Sequence, residues 1–131
     1  MGCGQTILVV EDDESVRGLT VAMLKRLGYA TLEAEDGPAA LRALESAAEI
    51  DLLFTDMVLP GGMSGAGVAA RAVAIRPDLG ILYSSGYTRG EMVHRGRLGV
   101  DARLLQKPFS KGDLAHCVHD AMRDPSKGSG V

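Results

Sequence analysis

Acidic, hydroxyl and lysine side chains follow four short apolar runs of this chain. Glu11 and Asp12 follow the first run, Asp56 the second, Ser85 the third and Lys107 the fourth. If the runs are parallel strands of one sheet, their carboxyl ends share a crevice, where open α/β sheets bind ligands. Side chains from positions far apart in the sequence are then predicted to converge there.

Such a set of side chains suits the binding of a divalent cation and of phosphate. Clustered carboxylates repel one another and cannot all stay ionised at neutral pH without a cation, and Mg²⁺ binds through one or two carboxylates, waters and phosphate oxygens. Lys107 adds a compact positive charge. Ser85 and the backbone N–H of Gly86 can donate hydrogen bonds to phosphoryl oxygens. Asp56 stands alone at its strand end and is the predicted nucleophile, which would form an acyl phosphate.

The rest of the pattern alternates strands with helices. Strands are predicted at residues 6–10, 30–34, 51–55, 80–84 and 104–106. Helices are predicted between them, and the one at residues 88–98 has the weakest pattern. The first helix carries its apolar face on Val16, Leu19, Met23 and Leu27 and is predicted to stop at Gly28; the second is predicted to start at Asp36. This alternation predicts an α/β fold with a doubly wound, five-stranded parallel sheet in the order 2-1-3-4-5. In that order the topological switch point lies between strands 1 and 3, which carry the acids.

Length and composition narrow the class of protein. With 131 residues the chain is predicted to form one domain over residues 5–123, with flexible ends at 1–4 and 124–131. A net charge of -3 gives no electrostatic footprint for nucleic acid. No apolar stretch reaches the roughly 18 residues of a membrane span, so no direct membrane contact is predicted. Cys3 and Cys117 form neither a metal spacing nor a disulfide framework, which favours the cytoplasm.

Four fragments, in order at the ends of predicted strands, carry a resemblance to a known family. They are Val9-Val10-Glu11-Asp12, Asp56 with Leu59-Pro60, Ser85-Gly86, and Lys107-Pro108-Phe109. Together they resemble the receiver (response-regulator) domains of two-component signalling, over about residues 5–123. The resemblance implies the flavodoxin-like (βα)5 form of the predicted sheet. It also implies a signalling domain that catalyses its own phosphorylation and dephosphorylation, rather than an enzyme.

The resemblance also assigns roles to the candidate residues. Asp56 is the implied phosphoacceptor, charged by a histidine kinase or a histidine phosphotransfer protein. Asp12 would bind Mg²⁺ directly and Glu11 mainly through water, and Asp56 and the backbone carbonyl of Val58 would complete the protein ligands.

Ser85, with Gly86 beside it, matches the hydroxyl that moves toward the phosphoryl group in this family, and Lys107 matches the family's lysine. Pro108 matches a proline that commonly follows a cis peptide bond. The switch would alter a protein-interaction surface; the downstream effector is unspecified and a weak homodimer is left open.

The chain departs from the family pattern at three places. Glu11 stands where Asp is commoner, the loop after Pro60 is one glycine longer, and Leu104 replaces the usual aromatic residue. Because Leu104 cannot support the usual aromatic rotation, we expect the signal to pass mainly through backbone displacement of residues 85–98. The segments around Ser85 and Lys107 look more like receivers fused to histidine kinases than like free-standing ones.

Alternative functions remain beside the leading prediction. The chain could be the excised receiver of a hybrid histidine kinase. A phosphatase of the haloacid dehalogenase type also forms an aspartyl phosphate, but it needs a second Asp two residues after the nucleophile, where this chain has Val58. A degenerate receiver that only binds partners would not need the complete set of site residues. A flavin-binding module would need a Ser/Thr/Gly-rich phosphate cradle after the first strand, which this chain lacks.

Overall fold

The computed structural model of the chain describes residues 4–46, 49–86 and 103–123. The strands are β1 (Thr6–Val10), β2 (Ala30–Ala34), β3 (Leu52–Asp56), β4 (Gly80–Ser85) and β5 (Leu104–Gln106). The helices are α1 (Glu14–Arg26), α2 (Gly37–Ser46), α3 (Gly65–Ile75) and α4 (Lys111–Arg123). The helix predicted at residues 88–98 and most of the ends predicted to be flexible lie outside the described residues. Within the described parts of the chain, no helix is long and apolar enough to cross a membrane.

All strand pairs are parallel, and the sheet order is β2-β1-β3-β4-β5. Ile7 of β1 faces Leu52 of β3, and Phe54 of β3 faces Leu82 of β4. The predicted fold class and strand order are therefore confirmed. The chain leaves β1 toward β2 and later enters β3 on the other side of β1, so the crevice opens between β1 and β3.

Alternate residues of the strands enter two separate cores, one on each face of the sheet. On one face, Ile7, Val9, Leu52, Phe54 and Leu82 pack with residues of α1 and α4. On the other face, Leu8, Val10, Leu53, Ile81 and Tyr83 pack with residues of α2 and α3. A sheet covered on both sides explains why its strands are continuous apolar runs rather than alternating ones.

Local signals place the helix ends. The Asp13 carboxylate accepts hydrogen bonds from the backbone N–H groups of Ser15 (2.9 Å) and Val16 (3.2 Å) at the start of α1. Gly28 follows α1 with φ +96°, a conformation that costs glycine little. Asp36 accepts a 2.9 Å hydrogen bond from the Ala39 N–H at the start of α2. These caps confirm the stop predicted at Gly28 and the start predicted at Asp36.

The apolar face predicted for α1 was correct at its last residue, Leu27, which is buried, but wrong at Leu19. Leu19 is 64% exposed, and Val16 and Met23 are only half-buried. The buried residues of α1 are Thr20, Val21 and Leu24. Thr20 can be buried because its hydroxyl donates a 2.9 Å hydrogen bond to the Val16 carbonyl one turn earlier. A pattern of apolar residues alone cannot detect such a satisfied threonine.

Candidate functional site

Backbone hydrogen bonds join the carboxyl ends of three neighbouring strands. The N–H of Met57, which follows β3, donates to the carbonyl of Ser84 in β4 (2.9 Å). The N–H of Lys107, which follows β5, donates to the carbonyl of Ser85 (2.7 Å). The ladder thus continues past the strand ends, and it holds the residues after β3 and β5 against β4.

Lys107 lies between two buried acids. Its ammonium Nζ is 2.7 Å from Oε1 of Glu11 and 3.0 Å from Oδ2 of Asp56. Glu11 is 5% exposed and Asp56 8% exposed, so water screens these charges weakly. One cation therefore compensates two carboxylates that come from the ends of β1 and β3.

Burial and pairing shift the pKa values of Glu11 and Lys107 in opposite directions. Burial raises the pKa of the Glu11 carboxyl; the hydrogen bonds from Lys107 and from the Asp13 N–H oppose that shift, and the nearby Asp56 charge adds to it. Burial alone would lower the pKa of Lys107, but its hydrogen bonds to Glu11 and Asp56 raise that pKa above its usual value. Lys107 is therefore a permanent positive charge at neutral pH.

Three carboxylates of the site can share one cation. Glu11, Asp12 and Asp56 each offer an oxygen, and these oxygens lie within 4.8 Å of one another. Asp12 is exposed and the other two are buried, so the cluster opens to solvent on one side. Val58, whose carbonyl was the fourth predicted ligand, is 48% exposed, and its N–H lies 3.4 Å from Oδ1 of Asp56. An all-oxygen set of this kind fits a hard divalent cation such as Mg²⁺.

Ser85 and Gly86 lie at the end of β4. Ser85 is the last residue of the strand and is 1% exposed. Gly86 follows it and is exposed, and among the described residues no atom lies within 4 Å of where its Cβ would stand. The strand therefore brings the predicted hydroxyl and N–H donors to the same edge of the sheet as Asp56 and Lys107.

The segment after β5 is anchored next to the site. The Lys107–Pro108 peptide bond is cis, as the sequence resemblance implies. The ring of Phe109 packs against that of Phe54 in β3, with the ring centres 6.0 Å apart and the planes 55° apart. The ring contact holds the chain two residues after Lys107, and the hydrogen bond from the Lys107 N–H to the Ser85 carbonyl holds it at Lys107 itself.

Arg17 and Gly65 contact backbone atoms of the site, and neither was predicted from the sequence. Nη1 of Arg17 donates a 2.8 Å hydrogen bond to the carbonyl of Glu11, and its Nε lies 3.2 Å from Oε1 of Glu33. A Cβ at Gly65 would overlap the carbonyl oxygen of Asp56. Because every residue has a backbone carbonyl, no pattern of residue types predicts that Arg17 would bind the Glu11 carbonyl or that Gly65 would lie against the Asp56 carbonyl. The only signal was the glycine-rich loop before α3.

The family model and the most similar proteins found all point to the same family. The family described as "Response regulator receiver domain" matches residues 7–119. The response regulator receiver protein CpdR of Brucella abortus (strain 2308) is 34% identical over 110 residues, which cover 84% of this chain and 90% of that protein. The sensor kinase CckA of the same organism is 33% identical over 120 residues, which cover 89% of this chain but only 12% of the kinase.

Solved structures share the fold over nearly the whole chain. A response regulator receiver protein from Sinorhizobium medicae WSM419 superimposes with a TM-score of 0.81 at 28% identity, over 92% of this chain and 96% of that one. The receiver domain of the hybrid histidine kinase CckA gives a TM-score of 0.71 at 32% identity, over 89% and 98% of the two chains.

Proposed function

Because this chain belongs to the response regulator receiver domains of two-component systems, we propose that Asp56 is the residue that receives the phosphoryl group. The observation that carries this proposal is the position of Asp56 between a cation and further acids. Lys107 Nζ lies 3.0 Å from Oδ2 of Asp56, and oxygens of Glu11 and Asp12 are within 4.8 Å. A buried carboxylate beside an ammonium group and beside acids that could hold a metal ion suits the transfer of a phosphoryl group.

The proposed transfer begins from a phosphohistidine of the partner. The phosphorus–nitrogen bond breaks as an oxygen of the Asp56 carboxylate forms a bond to phosphorus, and the imidazole leaves. Oδ2 is held by Lys107, whose fixed charge stabilises negative charge on the transferring group. Water then attacks the acyl phosphate, inorganic phosphate leaves, and the Asp56 carboxylate is regenerated. The phosphoryl group on Asp56 is proposed as the signal itself, so we class the domain as a signalling domain rather than an enzyme.

We propose Mg²⁺ as the cofactor, with Glu11, Asp12, Asp56 and the Val58 carbonyl as the groups that hold it. The all-oxygen cluster and the exposure of Asp12 support this assignment, because Mg²⁺ keeps several waters and needs an open side. When bound, Mg²⁺ supplies positive charge that stabilises the phosphoryl oxygens. Without it, the described part of the site has three acids around the Lys107 charge, which leaves net repulsion among them.

The proposed switch uses the hydroxyl of Ser85 and the N–H of Gly86 as donors to the phosphoryl oxygens. Their position at the end of β4, beside Asp56, supports this role. A contact made only in the phosphorylated state is what shifts a population between two conformations. Residues 85–98 would then carry the change to a protein-binding surface, although most of that segment lies outside the described residues.

The proposed partners are a histidine kinase or a histidine phosphotransfer protein, in the cytoplasm. A second setting is a receiver within a hybrid kinase, since the chain matches a segment equal to 12% of the sensor kinase CckA. A phosphatase of the haloacid dehalogenase type is disfavoured, because Val58 offers no carboxyl group two residues after Asp56.

Beryllofluoride, which mimics a phosphoryl group on a carboxylate, tests the proposal. With Mg²⁺ present it should raise the thermal unfolding midpoint of the wild type and leave that of Asp56→Asn unchanged. Asp78→Asn is the matched control, because Asp78 is exposed in the turn before β4, at the opposite end of the sheet. This variant should respond like the wild type. An equal response from Asp56→Asn would reject Asp56 as the acceptor.

A further inference from the structure

Helix α3 begins directly against the peptide unit that follows Asp56. The N–H of Gly65, its first residue, donates a 2.9 Å hydrogen bond to the Met57 carbonyl. A Cβ at Gly65 would overlap the Asp56 carbonyl oxygen and would stand 2.9 Å from both the Asp56 carbonyl carbon and Met57 Cα. These are backbone atoms, which cannot rotate aside as a flexible side chain can. The approach therefore requires glycine.

The Asp56 carbonyl is also held from a second side. The hydroxyl of the fully buried Thr55 donates a 3.0 Å hydrogen bond to it. The oxygen thus lies between the Thr55 hydroxyl and the Gly65 backbone. Ser64 keeps the first turn of α3 in place, because its hydroxyl accepts a 3.1 Å hydrogen bond from the Gly67 N–H.

The loop between β3 and α3 is anchored on the neighbouring helix as well. Met63 lies over Gly37, the first residue of α2, where an added Cβ would stand 2.9 Å from the Met63 sulfur and 3.0 Å from its Cβ. At its other end, the loop is held by the hydrogen bond from Met57 to β4. Val58 lies between these two anchors, immediately after the peptide unit that Gly65 contacts.

We propose that Gly65 is a positioning residue for Asp56, and that it acts through the backbone of residues 56–58. The direction of the Asp56 carboxylate toward Lys107 and the other acids follows from its backbone, as does the direction of the Val58 carbonyl. A displacement of about 1 Å at a reacting group is enough to cost about a hundredfold in rate. The inference rests on the function proposed above.

The test compares Gly65→Ala with Gly18→Ala. Gly18 lies in α1, and apart from its own helix no described residue comes within 4 Å of an added Cβ, so its substitution makes the same chemical change without the contact. Thermal unfolding reports folding, calorimetry reports Mg²⁺ affinity, and intact-mass spectrometry reports the rate of phosphorylation by acetyl phosphate. We expect Gly65→Ala to fold cooperatively, with its Mg²⁺ affinity and phosphorylation rate each lowered about tenfold or more. Gly18→Ala should match the wild type in both.

Wild-type Mg²⁺ affinity and rate in Gly65→Ala would overturn the inference, even if its unfolding midpoint fell. If Gly65→Ala does not fold, Thr55→Val decides, because it removes the other contact to the Asp56 carbonyl and keeps an apolar strand residue. Its Mg²⁺ affinity should fall about fivefold, whereas Thr31→Val in β2 should have no effect. An unchanged Mg²⁺ affinity in Thr55→Val would then show that contacts to the Asp56 carbonyl do not position the site, and would reject the role proposed for Gly65. Failure of the wild type to be phosphorylated would instead reject the proposed function, independently of the Mg²⁺ result.

Discussion

The ammonium of Lys107 lies 2.7 Å from a carboxylate oxygen of Glu11, a residue 96 positions earlier in the chain. The same ammonium is 3.0 Å from Asp56. The contact therefore links the end of β1 to the residue after β5, across the end of β3. Because both acids are buried, the charge balance among the described residues of the site depends on Lys107.

Replacing Lys107 by Met should destabilise the metal-free protein at neutral pH. The change leaves the Glu11 and Asp56 carboxylates buried without their cation. We expect the free energy of unfolding to fall by about 2 kcal/mol, between the values typical of exposed and of fully buried pairs. Urea unfolding in the presence of a chelator measures it. Lys111→Met, at an exposed position at the start of α4, is the control and should change little. Equal stabilities of the two variants would contradict the proposed charge balance.

Removing the exposed acid Asp12 should have the opposite effect on stability. Asp12→Asn relieves repulsion within the cluster, so the metal-free protein should gain about 0.5 kcal/mol. Mg²⁺ at about ten times its dissociation constant should add about 1.4 kcal/mol to the wild type by mass action. The variant should gain little from the same concentration. A thermal or urea titration of the variant that follows the wild type with Mg²⁺ would rule out Asp12 as a ligand.

The raised pKa of Glu11 predicts the direction of a pH effect. A carboxyl whose folded pKa lies above its unfolded value contributes stability that is present below pH 4.5 and is lost as the pH rises through the folded pKa. The stability of the metal-free wild type, relative to Glu11→Gln, should therefore decrease as the pH rises above 4.5. Urea unfolding of both proteins across this range provides the measurement. A relative gain for the wild type would mean that pairing with Lys107 outweighs burial.

Tyr83 predicts a separate loss of stability in alkali. Burial in the core beside α2 and α3 raises the pKa of its phenol to about 12 from the ordinary value of 10.0. The stability due to the neutral phenol is complete below pH 10 and is lost as the pH rises toward 12. By pH 11 the wild type should have lost about 1 kcal/mol relative to Tyr83→Phe. Unfolding curves of the two proteins that stay parallel from pH 9 to pH 11 would contradict this assignment.

The sequence was sufficient to predict which strand ends converge. Glu11, Asp56 and Lys107 each follow an apolar run, and parallel topology brings such ends to one edge, so no knowledge of side-chain contacts was needed. The start predicted at Asp36 and the stop predicted at Gly28 were also correct, because caps depend on local hydrogen bonds and local backbone geometry.

The sequence was insufficient to predict contacts in which a side chain or a glycine meets the backbone of another element. It was also insufficient to predict a polar residue that is buried in the core. Thr20 enters the core because its hydroxyl is bound within α1, which moved the buried face away from Leu19. Arg17 binds the Glu11 carbonyl, and Gly65 makes room for the Asp56 carbonyl. Such roles depend on the distance between main-chain atoms of different elements, which residue types do not encode.

Phosphorylation by acetyl phosphate, read by mass spectrometry, tests the central claim most directly. In the presence of Mg²⁺ the wild type should gain one phosphoryl group, located on Asp56 by peptide mapping, and a chelator should prevent the gain. Asp56→Asn should gain none, while Asp78→Asn should behave like the wild type. A phosphoryl group acquired by Asp56→Asn at the wild-type rate would contradict the account.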